Sequence, residues 1–229
     1  MEPDNPLLDL YFLQITGKPR PKICLISTGS GDAEEGLERF YAAFAKYPCE
    51  PSHLAFFRKP RPGAIPLDAI EHCLLEQDAI YVGGGSTRSM LAVWREWELD
   101  QVLRKAWQAG ILLGGISAGA ICWFEYGATD SILGPGRSST LRCLGFLAGS
   151  CAPHFDGERH RRLDFHTLIA SGHLPPGIGI DDGAAVLFEN ECLTEVVASR
   201  PQATAYRVTV EAGVVGEEPL SVRYLGEPA

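Results

Sequence analysis

Ile111-Leu112-Leu113-Gly114-Gly115-Ile116-Ser117-Ala118-Gly119 decides how this chain folds. The apolar run Ile111–Gly114 reads as a short buried strand, and the Gly-x-Ser-x-Gly that closes it falls where the chain must turn sharply toward a helix. Ala120-Ile121-Cys122-Trp123-Phe124 can begin that helix. Small residues must flank the serine because the backbone nearly meets itself in such a turn, which also lifts the hydroxyl clear of the sheet. Ser117 is therefore the candidate nucleophile, and a plain glycine-rich strand–helix turn is the competing reading.

Upstream, Lys22–Ser27 reads as a strand closed by Thr28-Gly29-Ser30-Gly31-Asp32, followed by a helix with Leu37, Phe40, Tyr41 and Phe44 on one face. Ser52–Phe57 is a second strand, and Pro60–Pro66 a loop before a short helix over Leu67–Gln77. Ala79–Val82 is a third strand ending in Gly83-Gly84-Gly85, and Leu99, Val102, Leu103 and Trp107 mark a further helix. Strands alternating with helices at this spacing imply right-handed crossovers: an α/β fold, mainly a parallel sheet with helices on both faces. From Ile178 the pattern changes to short β-rich pieces, Ile178–Ile180, Ala184–Phe188, Thr194–Ala198, Ala205–Val210 and Leu220–Leu225, which add antiparallel strands near the C-terminus. With no repeat or linker in view, residues 1–229 read as a single domain.

The formal net charge of −9, with basic residues scattered, argues against nucleic acid as a partner. The densest basic cluster, Arg159-His160-Arg161-Arg162, reads as a solvated helix face or one contact to a carboxylate. No apolar run approaches the roughly 18–20 residues of a membrane span, and Met1-Glu2-Pro3-Asp4-Asn5 lacks a signal-like start. Seven widely spaced cysteines without a Cys-x-x-Cys pair suggest reduced thiols, no zinc site and a cytoplasmic protein. Cys151, three residues before His154, offers a weaker Cys/His alternative.

A serine hydroxyl needs a base to take its proton and donors for the oxyanion that forms. Of six histidines, His53, His72, His160, His166 and His173 have surface or capping surroundings. His154 instead lies in Pro153-His154-Phe155-Asp156-Gly157, a rigid loop between elements of the kind that presents catalytic bases. The acid to orient it is Asp130, soon after the serine, or one of the adjacent Asp181 and Asp182 at a strand end. Oxyanion donors should come from the amide of Ala118 and from the turn Gly83-Gly84-Gly85-Ser86-Thr87. Neither a Walker A nor a dinucleotide fingerprint is completed there. Only 37 positions separate Ser117 from His154, too few for the elements an α/β-hydrolase places between them.

Val82-Gly83-Gly84-Gly85-Ser86-Thr87, Gly115-Ile116-Ser117-Ala118-Gly119-Ala120, Ala152-Pro153-His154-Phe155 and Gly179-Ile180-Asp181-Asp182-Gly183 occur in the order seen in the peptidase E family. The resemblance spans about Lys22 to Phe188 and includes aspartyl dipeptidase and cyanophycinase. It implies a fold like class I glutamine amidotransferases, Ser117 as nucleophile, His154 as base, and Gly85 and Ala118 as oxyanion amides. It places the acid on Asp182, where relatives often carry Glu, with Asp130 as the alternative acid. Arg159 would match the arginine that holds a substrate Asp side chain, although the segment after His154 is shorter here than in that family. Asp156 or Glu158 could instead hold a peptide's free amino group. The implied activity is hydrolysis of short peptides without metal or cofactor, with homodimers common among such enzymes. A cyanophycinase-like or other amide hydrolase, and a non-catalytic binding protein on the same fold, are the alternatives.

Overall fold

The structure, a computed structural model, describes every residue except 1, 3, 133, 135 and 227–229. The chain divides into two compact units, residues 1–120 and 121–229.

The first unit contains α1 (Leu7–Gln14), β1 (Lys22–Ile26), α2 (Glu34–Phe44), β2 (Glu50–Leu54), α3 (Ile70–Leu75), β3 (Ala79–Val82), α4 (Thr87–Glu96), α5 (Leu99–Gln108) and β4 (Leu112–Gly115). Its four strands pair in the order β2-β1-β3-β4, all parallel. Ile23 and Leu25 of β1 and Ala79 and Tyr81 of β3 pack with Leu37, Phe40 and Phe44 of α2 and Leu13 of α1. The intervening Cys24, Ile26, Ile80 and Val82 point the other way and are equally buried, so helices cover both faces. α4 starts immediately after the glycine-rich end of β3, capped by Ser86 Oγ, which accepts from Ser89 N–H (3.2 Å).

Two expected elements are shorter than their patterns suggest. β2 ends at Leu54 rather than Phe57, because the amides of Phe56 and Phe57 leave the ladder for the carboxylate of Asp32. The helix expected over Leu67–Gln77 is a 3-10 turn, Leu67–Ala69, followed by α3.

After the one-turn α6 (Ala118–Ile121), the second unit contains β5 (Phe124–Thr129), β6 (Ser139–Arg142), β7 (Leu147–Pro153), α7 (Arg161–Ala170), β8 (Gly177–Ile180), β9 (Ala184–Glu189), β10 (Cys192–Ala198), β11 (Ala205–Glu211), β12 (Val214–Pro219) and β13 (Arg223–Tyr224). The six-stranded sheet runs β12-β11-β8-β7-β5-β6, with β5, β7 and β8 parallel and the outer strands antiparallel. β9 and β10 pair antiparallel in a separate small sheet with β13. Phe165 and Ile169 of α7 pack on Ala128, Ala152 and Val208 from β5, β7 and β11. The helix expected from Ala120 to Phe124 stops at Ile121, since the aromatic, strand-favouring Phe124-Glu125-Tyr126 enters β5. The strand expected over Leu220–Leu225 shrinks to β13; the partner of β11 is the preceding β12.

Candidate active site

The serine elbow lies wholly in the first unit. Beyond β4, Ile116 N–H donates to Val82 O (3.1 Å), while Gly119 and Ala120 donate back to Ile116 O and Ser117 O (both 2.9 Å). A turn this tight puts Ser117 at φ 57, the left-handed region, which costs a non-glycine residue about 1–2 kcal/mol. The flanking glycines are steric necessities. A Cβ at Gly115 would lie 2.4 Å from Val82 O, and one at Gly119 2.1 Å from the same oxygen. Ser117 is left half-buried and Ala118 buried beside it.

The glycine-rich end of β3 runs past this serine. A Cβ on Gly84 would stand 3.1 Å from Ser117 Cβ and 3.7 Å from its Oγ. On Gly85, at φ 129, it would strike Gly29 O at 2.1 Å. The backbone of Gly84 and Gly85 therefore threads between the Ser117 side chain and the turn after β1, at an approach only glycine permits.

His154 and Asp182 meet within the second unit. The parallel register of β7 and β8 sets Pro153 opposite Ile180, so the residues leaving the two strands emerge side by side. His154, at φ 58, follows Pro153, and its Nδ1 lies 2.6 Å from Asp182 Oδ1. With Nδ1–H donating to that carboxylate, the free Nε2 is a proton acceptor. The Asp182 N–H donates in turn to Asp156 Oδ1 (2.8 Å), tying the histidine loop to the acid. Glycine at 157 makes room: a Cβ there would fall 2.2 Å from Asp182 Oδ2.

Asp130 occupies the opposite flank of β7. β5 pairs with β7 through Gly127 and Cys151, and Asp130 directly follows the end of β5 at Thr129. The imidazole Nδ1 bonds Asp182; the backbone carbonyl of Asp130 accepts from Gly134 N–H (2.8 Å). Asp181 turns inward: Thr204 N–H donates to its Oδ2 (3.2 Å), and burial raises its carboxyl above the usual range.

The basic cluster sorts into three kinds. Arg159 is exposed on the loop before α7. Arg161 is not part of a solvated face: it is 4% exposed, donates to Ala128 O (2.8 Å) and pairs with Glu158. Arg162 stacks over Tyr206 at 4.5 Å and Phe155 at 5.1 Å, and its Nε donates to Glu217 (2.9 Å). Glu217 also accepts from His166 (2.7 Å). His53 is buried and hydrogen-bonded to Tyr41 (2.8 Å), not on the surface; burial lowers its pKa. Cys151 is fully buried in β7, which pushes its thiol up and withholds the thiolate that a Cys/His pair requires.

Gly157 makes the turn expected of it, whereas the carboxylate of Asp32, which accepts from the amides of Phe56 and Phe57, has a role beyond the turn expected after β1. The Gly29-x-Gly31-Asp32 pattern was the available signal for the second. Among the described residues, no cluster of three or more His, Cys, Asp or Glu is arranged to hold a metal ion.

The sequence profile of peptidase family S51 matches residues 1–196. The chain belongs to peptidase family S51. An S51 chain is a peptidase, and the matched residues take in both the elbow and the His154–Asp182 pair. It is 47% identical over 226 residues to uncharacterized peptidase YgaJ of Bacillus subtilis (strain 168), covering 99% of this chain and 94% of that one. A peptidase from an acI-B1 actinobacterium has a similar fold, with TM-score 0.70 and 18% identity over 95% of this chain and 89% of that one. So does a provisionally named peptidase E protein of Listeria monocytogenes EGD-e, with TM-score 0.57 and 16% identity over 93% of each chain. Among the described residues, no helix is long and apolar enough to cross a membrane.

Proposed function

We propose that this S51 peptidase is a serine exopeptidase that hydrolyses short peptides near their N-terminus through an acyl-enzyme. The observation that carries the reading is the 2.6 Å contact between His154 Nδ1 and Asp182 Oδ1, which leaves Nε2 as the base. His154 takes the proton of Ser117 as its Oγ attacks the scissile carbonyl. The amides of Gly85 and Ala118 hold the oxyanion, supported by the approach of the glycine-rich strand end to Ser117. Collapse of the intermediate sends the proton from His154 to the leaving amine, and water then hydrolyses the ester with His154 again as base. Arg159, exposed beside this loop, is the candidate contact for a substrate carboxylate, so a preference for Asp-X peptides is one outcome. The free cysteines suit a reducing, cytoplasmic setting.

The test is hydrolysis of a panel of dipeptides and aminoacyl p-nitroanilides, Asp-X included, by wild type and Ser117→Ala. Turnover by the wild type that falls by about 10⁴ or more in the variant supports the reading. Wild-type-like turnover in Ser117→Ala refutes it. Turnover confined to Asp-X makes Arg159→Ala the next variant.

A further inference from the structure

The turn after β1 packs against the glycine-rich end of β3. Ser27 O accepts from Ser30 N–H (3.0 Å), Asp32 N–H (3.2 Å) and Ser30 Oγ–H (2.9 Å), closing residues 27–32 on themselves. On one side, Gly29 O accepts from Ser86 N–H (2.7 Å) and fills the space where Gly85 would carry a side chain. On the other side stands Asp32, 3% exposed and at φ 55. Its Oδ2 accepts from the amides of Phe56 (2.5 Å) and Phe57 (2.8 Å), and Ser27 Oγ–H donates to Oδ1 (3.5 Å).

A buried carboxylate is costly unless charge-assisted hydrogen bonds compensate it. This one spends its negative charge on two loop amides, not on a reacting group. Glycines at 29, 31, 84 and 85 give the two loops no stiffness of their own. An oxyanion donor acts only if it is preorganised to within a few tenths of an ångström. The stiffness must come from the anchored ends of the turn: Asp32, and Thr28 Oγ1, which accepts from Trp94 Nε1 (3.1 Å).

We infer that Asp32 is a positioning residue for the Gly85 amide, acting through the Ser27–Gly31 turn and the Gly29 carbonyl. The inference rests on the assignment of Ser117 and Gly85 proposed above.

The test compares wild type, Asp32→Gly and Asp32→Asn. Glycine suits φ 55 and removes the carboxylate, at the cost of added backbone freedom that the asparagine variant does not share. Asparagine also tolerates that backbone and can accept both amides through its Oδ1. Two quantities are read per folded molecule: the rate at which an alkyl fluorophosphonate labels Ser117, and kcat and KM on whichever anilide the wild type turns over. Since losing an oxyanion donor outright costs about 10²–10³, its misplacement in Asp32→Gly should slow labelling and kcat roughly 10- to 100-fold, with KM within about twofold. Asp32→Asn should recover to within about threefold of wild type.

A role in stability alone would reduce the number of labelled sites and the melting temperature, leaving the rate per site unchanged; that result overturns the inference. So does an Asp32→Asn as slow as Asp32→Gly. If Asp32→Gly does not fold, Thr28→Val, which cuts the second anchor and leaves the carboxylate, must lower the same two rates; unchanged rates overturn the inference. A wild type not labelled at Ser117 refutes the nucleophile itself and this inference with it, an outcome told apart by the absence of any labelled peptide.

Discussion

Substituting Gly157 by alanine separates the chemistry proposed for the His154–Asp182 pair from its contribution to folding. The new Cβ would stand 2.2 Å from Asp182 Oδ2, where real Cβ contacts stay beyond 3.0 Å, so the carboxylate must retreat by about 0.8 Å. Gly157 is not in the left-handed region, so alanine adds no backbone strain, and what it meets is the mobile end of a side chain. The fold should therefore lose less than about 1 kcal/mol. Moving Oδ1 by the same amount stretches the 2.6 Å contact to the edge of a hydrogen bond. A misplacement of about 1 Å in catalytic geometry costs up to 10²-fold. Removing the charge altogether, at a separation near 4 Å and an effective dielectric of about 20, is worth up to about 4 kcal/mol, a factor near 10³. Gly157→Ala should thus lower kcat/KM about 10- to 100-fold with a nearly unchanged melting curve, and Asp182→Asn should lower it further. The assay is steady-state hydrolysis beside a thermal melt, with a crystal structure of Gly157→Ala to locate the carboxylate. Full activity with Asp182 visibly displaced from His154 would refute the reasoning.

Two hairpin tips offer stabilisation. Asn190 and Glu191 between β9 and β10, and Ala212 and Gly213 between β11 and β12, are two-residue loops with both residues at positive φ, the geometry that favours Asn-Gly. Glu191→Gly and Ala212→Asn should each add about 0.5–1 kcal/mol, raising the melting temperature by about 2 °C in calorimetry. Burial alone would raise the Glu217 carboxyl, but hydrogen bonds from Arg162 and His166 outweigh it and hold the group below its ordinary 4.5. Its contribution is therefore present above pH 4.5 and lost as pH falls through the lower folded-state value. Glu217→Gln should cost about 1 kcal/mol at pH 7 in urea unfolding, with the gap to wild type closing below pH 4. A gap that widens in acid would reverse the assigned sign.

The elbow was legible because its requirements are local. Gly115 and Gly119 are dictated by one carbonyl, Val82 O, and the apolar run before them is a parallel strand, although every residue of β4 is half-buried and not fully buried as that run suggests. The choice between acids was not legible. Asp130 and Asp182 leave the two strands that flank β7, and only the side-chain geometry on the β8 side makes the pair. β7 itself, Leu147-Ala148-Gly149-Ser150-Cys151-Ala152-Pro153, escaped notice because small residues replace the branched ones that announce a strand; its centre is buried and has no room for more. Arg161 read as a charge in solvent, since no local pattern reveals that its guanidinium is spent on a distant carbonyl of β5.

Ser117 and His154 share a further property: both hold φ near +57 without being glycine. Each is therefore a position where the wild-type residue works against folding by about 1–2 kcal/mol. Ser117→Gly and His154→Gly would relieve that strain while removing the group on which the proposed chemistry depends. Selection for heat resistance alone, with no demand for turnover, would then favour glycine at both positions. An inactive relative carrying glycine at either place would be the record of such a drift, and its higher melting temperature the trace of what activity had cost.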